Sequence, residues 1–401
     1  MKAIYPKGEN ILDNLKKKSM IFIVLIGMVS LFSDMTYEGA RSISGQYLEI
    51  LGASAAVVGF IGGLGELLGY AIRFFSGRLA DKTHKYWSLT IFGYFINLLS
   101  VPLIALFPHW QWAILPMVFE RIGKGIRVPP KDAMLSFATK SVGRGWGFGI
   151  HEFLDQLGAV SGPIFVALIL FLLGENNFRY AFSFLIIPAA CAIGILFFSR
   201  FLYPVPSKLE VKLVELDSKG LPKLFWIYCF CVLGFAVGFL DFVLIAFHLE
   251  KTKLIAQPMI PILYAFTMGV DGVSALVFGR LFDKNGFIAL LFAIVISVFA
   301  NPLIFLTGSV YLIVIGMTCW GIGLGALESI IRAAVANIVP VSKRGSAFGI
   351  FNTLLGVFWF VGSFTCGILY GISPIYLVVF SVTAQLFSVA SFLYFRNSLR
   401  V

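Results

Sequence analysis

The stretch GRLADK at residues 77–82 recurs as GRLFDK at residues 279–284. A second pair repeats in the same order, GRGWGFGI at 143–150 and KRGSAFGI at 343–350. The copies of each pair are about 200 residues apart, half of the 401-residue chain, which is the pattern of an internal duplication. The repeat therefore predicts two similar halves that follow one another in the sequence.

Long apolar stretches surround both copies of the repeat. Hydrophobic residues make up 59% of the chain and charged residues 13%. Apolar windows of about 20 residues, the length with which a helix crosses the hydrocarbon, recur throughout. They are continuous and not alternating, so they predict helices and exclude the strands of a membrane barrel. The predicted spans are 20–46, 54–77, 87–107, 111–138, 146–173, 178–201, 223–248, 258–279, 287–307, 310–338, 346–370 and 374–395.

Together the spans and the repeat predict an all-α membrane protein with twelve transmembrane helices in two pseudo-symmetric six-helix halves. The longest hydrophilic stretch, YPVPSKLEVKLVELDSKGLPK at 203–223, separates the halves. We expect a cytoplasmic tail at 1–19, an N-terminal half at 20–202, a cytoplasmic linker at 203–222 and a C-terminal half at 223–401.

The basic residues are distributed unevenly between the two sides of the predicted bundle. The loops on the side of the N-terminus are rich in Lys and Arg, whereas the opposite loops hold Arg179, Lys251 and Lys253. Positive residues concentrate in cytoplasmic loops, so we expect a multi-pass protein of the cell (inner) membrane with both termini in the cytoplasm. The net charge of +11 is explained by this asymmetry and does not indicate nucleic-acid binding.

The repeated loop resembles a known signature. GRLADKTHKYW is similar to Gly-x-x-x-Asp-Arg-x-Gly-Arg-Arg, the loop motif of the major facilitator superfamily. The matching positions in the two copies are Gly77, Asp81, Lys82 and Lys85, and Gly279, Asp283 and Lys284. The resemblance implies a secondary transporter, similar to prokaryotic exporters, that binds its substrate between the halves.

The fourth predicted span contains ERIGKGIRVPPKDA at 120–133. Its Arg121 and Gly125 resemble the superfamily motif Arg-x-x-Gln-Gly, with Lys124 at the Gln position, and the resemblance implies a role of Arg121 in proton coupling. A charged group at the bilayer centre costs about 2.5 kcal/mol or more, so we expect Arg121 and Lys124 to line an aqueous cavity. We expect Pro129 and Pro130 to interrupt the helix.

The same span carries a stripe of charges. Glu120, Lys124, Arg127 and Lys131 recur every three or four positions, so they lie on one face of a helix. For Arg127, Lys131 and Asp132, a structural network at the cytoplasmic gate is as good an interpretation as a cavity role. In the second half, Glu328 and Arg332 are an i,i+4 pair expected near the same gate.

Acidic residues in the other spans are candidates for proton coupling. Asp34 and Glu38 share a helix face, and one proton between them would relieve their repulsion. The alternative is that Glu38 pairs with Arg41 near the outer rim. Glu66 and Asp155 are further acids placed near the midplane.

GAVSGP at 158–163 resembles the Gly-x-x-x-Gly-Pro motif of the fifth helix in proton-driven exporters. Gly158, Gly162 and Pro163 match, but Phe165, Val166 and Ala167 stand where the family has further glycines. The resemblance implies export, with a weaker basis than a full motif provides.

Other function classes are not supported by the sequence. There is no Gly-x-x-x-x-Gly-Lys-Ser/Thr phosphate loop, so ATP is not the expected energy source. The four histidines are scattered and the five cysteines lie in predicted spans, so we expect neither an enzyme nor a metal site, and no cofactor except the proton as coupling ion.

The sequence thus predicts a monomeric transporter in contact with membrane lipid that moves a small organic solute by alternating access. The charges favour an anionic or zwitterionic solute, and the aromatic residues Tyr264, Trp320, Phe351, Trp359 and Phe360 favour an amphipathic one. We expect proton-coupled antiport in the efflux direction. The alternatives are a proton symporter that imports an organic anion and, behind it, a non-transporting receptor.

Overall fold

The computed structural model describes residues 7–206, 220–339 and 344–395. Side chains at 7–13, 140, 144, 145, 331–333, 336, 337 and 344–346 are outside the described part. The first part of the chain forms α1 (Lys7–Ile50), α2 (Ala55–Thr83), α3 (Tyr86–Leu103), α4 (Trp110–Val142), α5 (Arg144–Leu173), α6 (Phe178–Phe184) and α7 (Ile186–Leu202). The second part forms α8 (Lys223–Gly238), α9 (Phe242–Thr252), α10 (Met259–Asn285), α11 (Phe287–Val298), α12 (Ala300–Phe305), α13 (Val310–Ile338), α14 (Arg344–Ile372) and α15 (Pro374–Tyr394).

The predicted all-α membrane fold is confirmed. Among the described residues, eleven helices or consecutive helix pairs are long and apolar enough to cross a membrane. The remaining long helix is α4, whose 33 residues correspond to about 50 Å of helix. It differs from the others because six charged residues lie between Glu120 and Asp132.

Three of the predicted spans are each built from two helices. The sixth breaks at Leu185, between α6 and α7, and the ninth breaks at Phe299, between α11 and α12. The seventh breaks between α8 and α9, where Asp241 has extended backbone and its carboxylate accepts the N–H of Val243 at 2.9 Å. This cap satisfies a free donor at the start of α9 and places Asp241 inside the bundle.

Helix α4 is continuous, so the prediction that Pro129 and Pro130 interrupt it is wrong. Proline removes the hydrogen bond to the carbonyl four residues earlier, which for Pro129 is the carbonyl of Gly125. The hydroxyl of Ser76 in α2 donates to this carbonyl at 2.9 Å. A neighbouring helix therefore replaces the lost bond, as is common in membrane bundles.

The predicted N-terminal tail and the predicted linker between the halves are only partly described. Helix α1 begins at Lys7, well before the predicted span start at residue 20, and residues 1–6 of the expected tail are outside the described part. Residues 207–219 of the expected linker also lie outside it. The domain boundaries therefore stay predictions.

Helices from both parts of the chain pack against each other along three lines of contact, α1 with α9, α2 with α14 and α5 with α10. Glycines permit the closest approaches, since a Cβ at Gly45 of α1 would overlap the carbonyl oxygen of Val243 in α9. The largest apolar core lies in the second part of the chain and extends to Leu48, Val58 and Ala159 of the first. These contacts leave a cavity between the parts.

Candidate functional site

A cavity of about 810 Å³ lies between the two parts of the chain. Helices α1, α2, α4 and α5 line one side, and α10, α13 and α14 line the other. The lining reaches the exposed residues Arg78 and Asp81 near the end of α2. We call this end of the bundle, where α2 and α10 terminate, the open end, and the opposite end the closed end.

Toward the closed end, a cluster of four charged residues joins the two sides of the cavity. Arg41 Nη2 donates to Asp241 Oδ2 at 2.5 Å and lies 3.4 Å from Glu66 Oε1. Arg121 Nη1 donates to the same Glu66 oxygen at 2.9 Å. We call Arg41, Glu66, Arg121 and Asp241 the closing cluster, because the contact between Arg41 and Asp241 connects α1 to the start of α9.

Tyr37 supports the cations of this cluster. Its hydroxyl accepts hydrogen bonds from Arg121 Nη1 at 2.6 Å and from Arg41 Nη1 at 3.1 Å. Lys124 Nζ lies 3.6 Å from the centre of the Tyr37 ring. Tyr37 thus holds three positive groups through one hydroxyl and one ring face.

A second polar network lies nearer the closed end. Glu250 of α9 is fully buried and accepts from Gln46 of α1 at 3.3 Å, from Gln257 at 2.6 Å and from the ammonium of Lys253. Gln257 also exchanges two hydrogen bonds with Asn176, between α5 and α6. Both parts of the chain contribute to this network, so it adds to the closure of this end.

The predicted acids of α1 lie in the cavity with different partners. Asp34 Oδ1 is 3.6 Å from Arg127 Nη2, and Arg127 stacks over the Tyr94 ring at 4.4 Å. Glu38 Oε2 accepts from the hydroxyl of Tyr264 at 2.6 Å. Glu38 does not pair with Arg41, whose described ion pairs go to the closing cluster, so the rim alternative is wrong.

The charged stripe of α4 divides between two surfaces. Lys124, Arg127 and Lys131 line the cavity, whereas Glu120 faces α3 and accepts from the Asn97 amide at 2.7 Å. None of the described acids lies within 4 Å of Lys124 Nζ, in contrast to the ion pair of Lys131 with Asp132 at 3.3 Å. Lys124 therefore lies in the cavity without a close ion pair, and the carboxylates of Asp34 and Glu38 attract it from beyond that distance.

His151 contributes to the packing of α4 and α5. Its Nε2 lies 3.1 Å from Lys131 Nζ and 2.9 Å from the Ser30 hydroxyl. An ammonium can only donate, so Nε2 accepts and the ring proton is on Nδ1. Asp155, one helical turn further along α5, lines the cavity.

The glycines of the predicted fifth-helix motif bring α5 against α1. A Cβ at Gly158 would overlap the carbonyl oxygen of Leu31, and a Cβ at Gly162 would overlap that of Met35. Small residues at such crossings permit close backbone approach in membranes. This contact places the face of α5 that carries Asp155 beside the face of α1 that carries Asp34.

The residues of the loop signature lie at the open end. Asp81, Lys82, Lys85, Asp283 and Lys284 are exposed there. Gly77 faces Pro129, and Gly279 faces Ser329. Glu328 lines the cavity, but the side chain of Arg332 lies outside the described residues, so their pairing stays a prediction.

Two residues of the site are not among the predicted site residues. For Tyr37 a local signal exists, because Asp34, Tyr37, Glu38 and Arg41 follow the i, i+3, i+4, i+7 spacing of one helix face. Asp241 is the second such residue. Its partner Arg41 is 200 positions away, and a local sequence pattern cannot predict a contact at that separation.

The described residues contain no group of three His, Cys, Asp or Glu side chains that could hold a metal ion. A charged cavity between two six-helix halves, open at one end and closed by ion pairs at the other, is typical of the class of secondary transporters.

Comparison with known proteins gives the family. The model of the Major Facilitator Superfamily matches residues 21–363, and the chain belongs to this family. An uncharacterised protein of Mycobacterium tuberculosis is 37% identical over 371 residues, 91% of this chain and 90% of the relative. An uncharacterised MFS-type transporter of Methanocaldococcus jannaschii is 27% identical over 369 residues, 88% of this chain and 89% of the relative. Among solved structures, the nucleoside transporter NupG superimposes with a TM-score of 0.75 at 13% identity, covering 94% of this chain and all of that one, which is a likeness of fold.

Proposed function

We propose that the protein is a proton-coupled antiporter that exports a small organic solute. The observation that carries the proposal is that Asp34 and Asp155 face one cavity, which reaches exposed residues at one end and the ion pair of Arg41 with Asp241 toward the other. A proton on either carboxylate makes the shared cavity less negative and so weakens the binding of a positive group of the solute there. Proton and solute then weaken each other's binding, and this competition is the requirement for antiport.

The pair of Asp34 and Arg127 supplies the link to the rest of the bundle. At 3.6 Å the two groups attract each other strongly in a poorly solvated site. Protonation of Asp34 removes this attraction and leaves the buried Arg127 without its charge partner, which costs free energy in the open conformation. A change of conformation that gives Arg127 another partner is then favoured.

A second candidate, symport of an organic anion with a proton, is favoured by Lys124. Its ammonium faces the cavity and contacts the Tyr37 ring, with no described acid within 4 Å. An anionic solute would be held there directly, and a proton on a nearby carboxylate would reduce the repulsion of that anion. This candidate differs from antiport in the direction of proton movement.

We further infer that the open end faces the cytoplasm and that one chain is the transporting unit. The orientation is supported by the basic residues at the open end, and the single-chain unit by a cavity to which both halves of one chain contribute.

The test uses purified protein in liposomes that enclose a pH-sensitive dye at acidic pH. Organic cations, organic anions, zwitterions and sugars are added outside, one at a time. Solute-dependent alkalinisation of the lumen supports antiport, whereas acidification supports symport. We expect Asp34→Asn and Asp155→Asn each to lower proton movement at least about tenfold, because the proton carrier is lost.

The matched control is Glu175→Gln, an exposed carboxylate in the turn between α5 and α6. Exchange of labelled for unlabelled solute is measured in parallel, since it needs no proton. Wild-type proton movement in both Asp variants, with exchange intact, would contradict the assignment of the coupling residues. Solute uptake without any proton movement would contradict proton coupling itself.

A further inference from the structure

Two polar groups of the second half are buried in the cavity wall and have no hydrogen-bond partner among the described residues. They are Asp271 Oδ1 on α10 and Trp359 Nε1 on α14. Both side chains are 4% exposed, and both line the cavity. A buried acceptor or donor without a partner is costly, so a solute that contacts these two groups would be stabilised by them.

The surroundings of Asp271 favour a positively charged ligand group. Its second oxygen accepts from the Gln156 amide of α5 at 3.2 Å. Asp271 interacts electrostatically with the carboxylates of Glu328, Glu38 and Glu152. An ammonium group would supply the missing donor and would also be attracted by these carboxylates.

The Trp359 ring is held in place by packing. It meets Phe239 edge to face, with ring centres 5.5 Å apart. Its indole N–H can only donate, so the ligand must present an acceptor to it. From the helical rise, Asp271 and Trp359 both lie about 21–22 Å from the open ends of their helices, so they are at the same depth.

The opposite wall of the cavity carries cations as well as acids. Lys124 faces the cavity against the Tyr37 ring, and Arg73 lines the same cavity with its guanidinium 4.9 Å from the Tyr70 ring. The Nε of Arg73 also has no described hydrogen-bond partner. A carboxylate of the solute can pair with Lys124 or Arg73 on this wall.

We propose that the transported solute is amphoteric, with an ammonium group that binds Asp271 and a carboxylate that binds Lys124. The Trp359 indole N–H donates to a second acceptor on the solute. This inference rests on the proposed function, because it assigns the substrate class of the same cavity. It also assigns Asp271 and Trp359 as residues that determine specificity.

The experiment uses three series of probes with matched carbon chains. The first series is the ω-amino carboxylates with two to eight carbons, the second the n-alkylamines and the third the n-carboxylates. Binding to the purified wild-type protein is measured from the ligand-dependent rise in melting temperature. At one chain length we expect the amino carboxylate to bind at least about tenfold more tightly than both single-charge analogues, since each charged contact contributes separately.

The variants assign each end of the probe. Asp271→Asn is expected to reduce the affinity for that amino carboxylate about tenfold, to the affinity of the matching carboxylate. Lys124→Gln is expected to reduce the affinity for the same amino carboxylate to that of the matching amine. Trp359→Phe is expected to weaken it severalfold. The controls are Glu175→Gln and Trp112→Phe, which change exposed side chains outside the cavity.

Equal binding of the three series at every chain length by the wild-type protein would overturn the inference, whether or not the variants fold. Unchanged preference in Asp271→Asn would overturn the assignment of the ammonium site. Tight binding of amino carboxylates without proton movement in liposomes would support the amphoteric substrate and contradict the proposed proton coupling. Proton movement driven by a solute with a single charge would support the proposed proton coupling and contradict the amphoteric substrate.

Discussion

Tyr37 shows how one side chain makes a group of buried cations tolerable. Its hydroxyl accepts from two guanidinium groups, of Arg121 and Arg41, and its ring faces the ammonium of Lys124. Each cation would cost several kcal/mol in this environment without an acceptor or an opposite charge. Tyr37 is 2% exposed, so water does not take over these contacts in the described conformation.

Replacing Tyr37 by Phe is expected to lower the stability of the protein. The ring stays, but two guanidinium groups lose an acceptor, at a cost of about 1–3 kcal/mol. The measurement is the melting temperature of the purified protein in detergent. Tyr311→Phe is the matched control because Tyr311 is 84% exposed, and a loss of stability equal to that of Tyr37→Phe would contradict the proposed role of the hydroxyl.

The polar face of α1 illustrates what can be predicted at the scale of residues. The spacing of Asp34, Glu38 and Arg41 places them on one side of a helix, and the cost of charge in the membrane directs that side to an aqueous cavity. Their partners cannot be predicted in the same way. Tyr264 and Asp241 come from the other half, and the register between the halves is set by helix packing that no single helix encodes.

At the scale of elements, the break between α8 and α9 has a direct consequence for the closed end. Asp241 caps α9 with one oxygen and binds Arg41 with the other. The same carboxylate therefore defines where α9 begins and ties it to α1. The other contacts of the closing cluster, among Arg41, Glu66 and Arg121, lie within the first half.

Asp241→Asn is therefore expected to open the closed end more than Glu66→Gln does. Both changes remove one carboxylate charge from the closing cluster, but only the first removes the ion pair between the halves. The reporter is Ser44→Cys, which lines a small cavity of about 40 Å³ beyond Arg41, in a background with Cys191 and Cys319 replaced by serine. A membrane-impermeant maleimide should label it about tenfold faster in Asp241→Asn, a shift of about 1.4 kcal/mol.

Labelling at the same rate in both charge variants would contradict this interpretation, because it would show that the pair between the halves has no special effect. Unchanged labelling in both would show that the closing cluster does not hold the closed end. The unmodified Ser44→Cys protein provides the reference rate.

The contact of α1 with α9 also depends on Gly45. A methyl group there would overlap the backbone of α9, and a backbone cannot move aside as a flexible side chain can. Gly45→Ala is expected to lower stability by about 1–3 kcal/mol and to increase labelling of Ser44→Cys. In the matched control Gly69→Ala, no heavy atom lies within 4 Å of the added methyl group, so stability should stay the same or rise slightly.

A melting temperature that falls equally in both glycine variants would contradict the packing argument, since the two changes add the same atom to a helix. Such a result would assign the loss to the helices themselves and not to their contact.

At the scale of the whole molecule, local sequence properties predict some features of the fold, and contacts between helices determine the others. Hydropathy and the duplicated loop were sufficient for the spans and the family, because both are local properties of the chain. The continuity of α4 was not predictable, because the carbonyl left by Pro129 is satisfied by Ser76 of another helix. Contacts between helices therefore decide what the local patterns leave open.

The orientation in the membrane is a property of the whole molecule that charge alone predicts. Exposed basic residues such as Lys82, Lys85 and Lys284 lie at the open end, while Lys251 and Lys253 belong to the closed end. The excess of Lys and Arg in short loops predicts that the open end faces the cytoplasm. In that orientation the described conformation would be the inward-open one.

This orientation can be measured with two single-cysteine variants at exposed turns, Lys85→Cys at the open end and Glu175→Cys at the closed end. With Cys191 and Cys319 replaced by serine, intact cells are treated with a membrane-impermeant maleimide. We expect labelling of the Glu175 position in intact cells and of the Lys85 position only after the membrane is disrupted. The opposite labelling pattern would show that the protein has the inverse orientation in the membrane. The described cavity would then be accessible from outside the cell, and a solute could not enter it from the cytoplasm in this conformation.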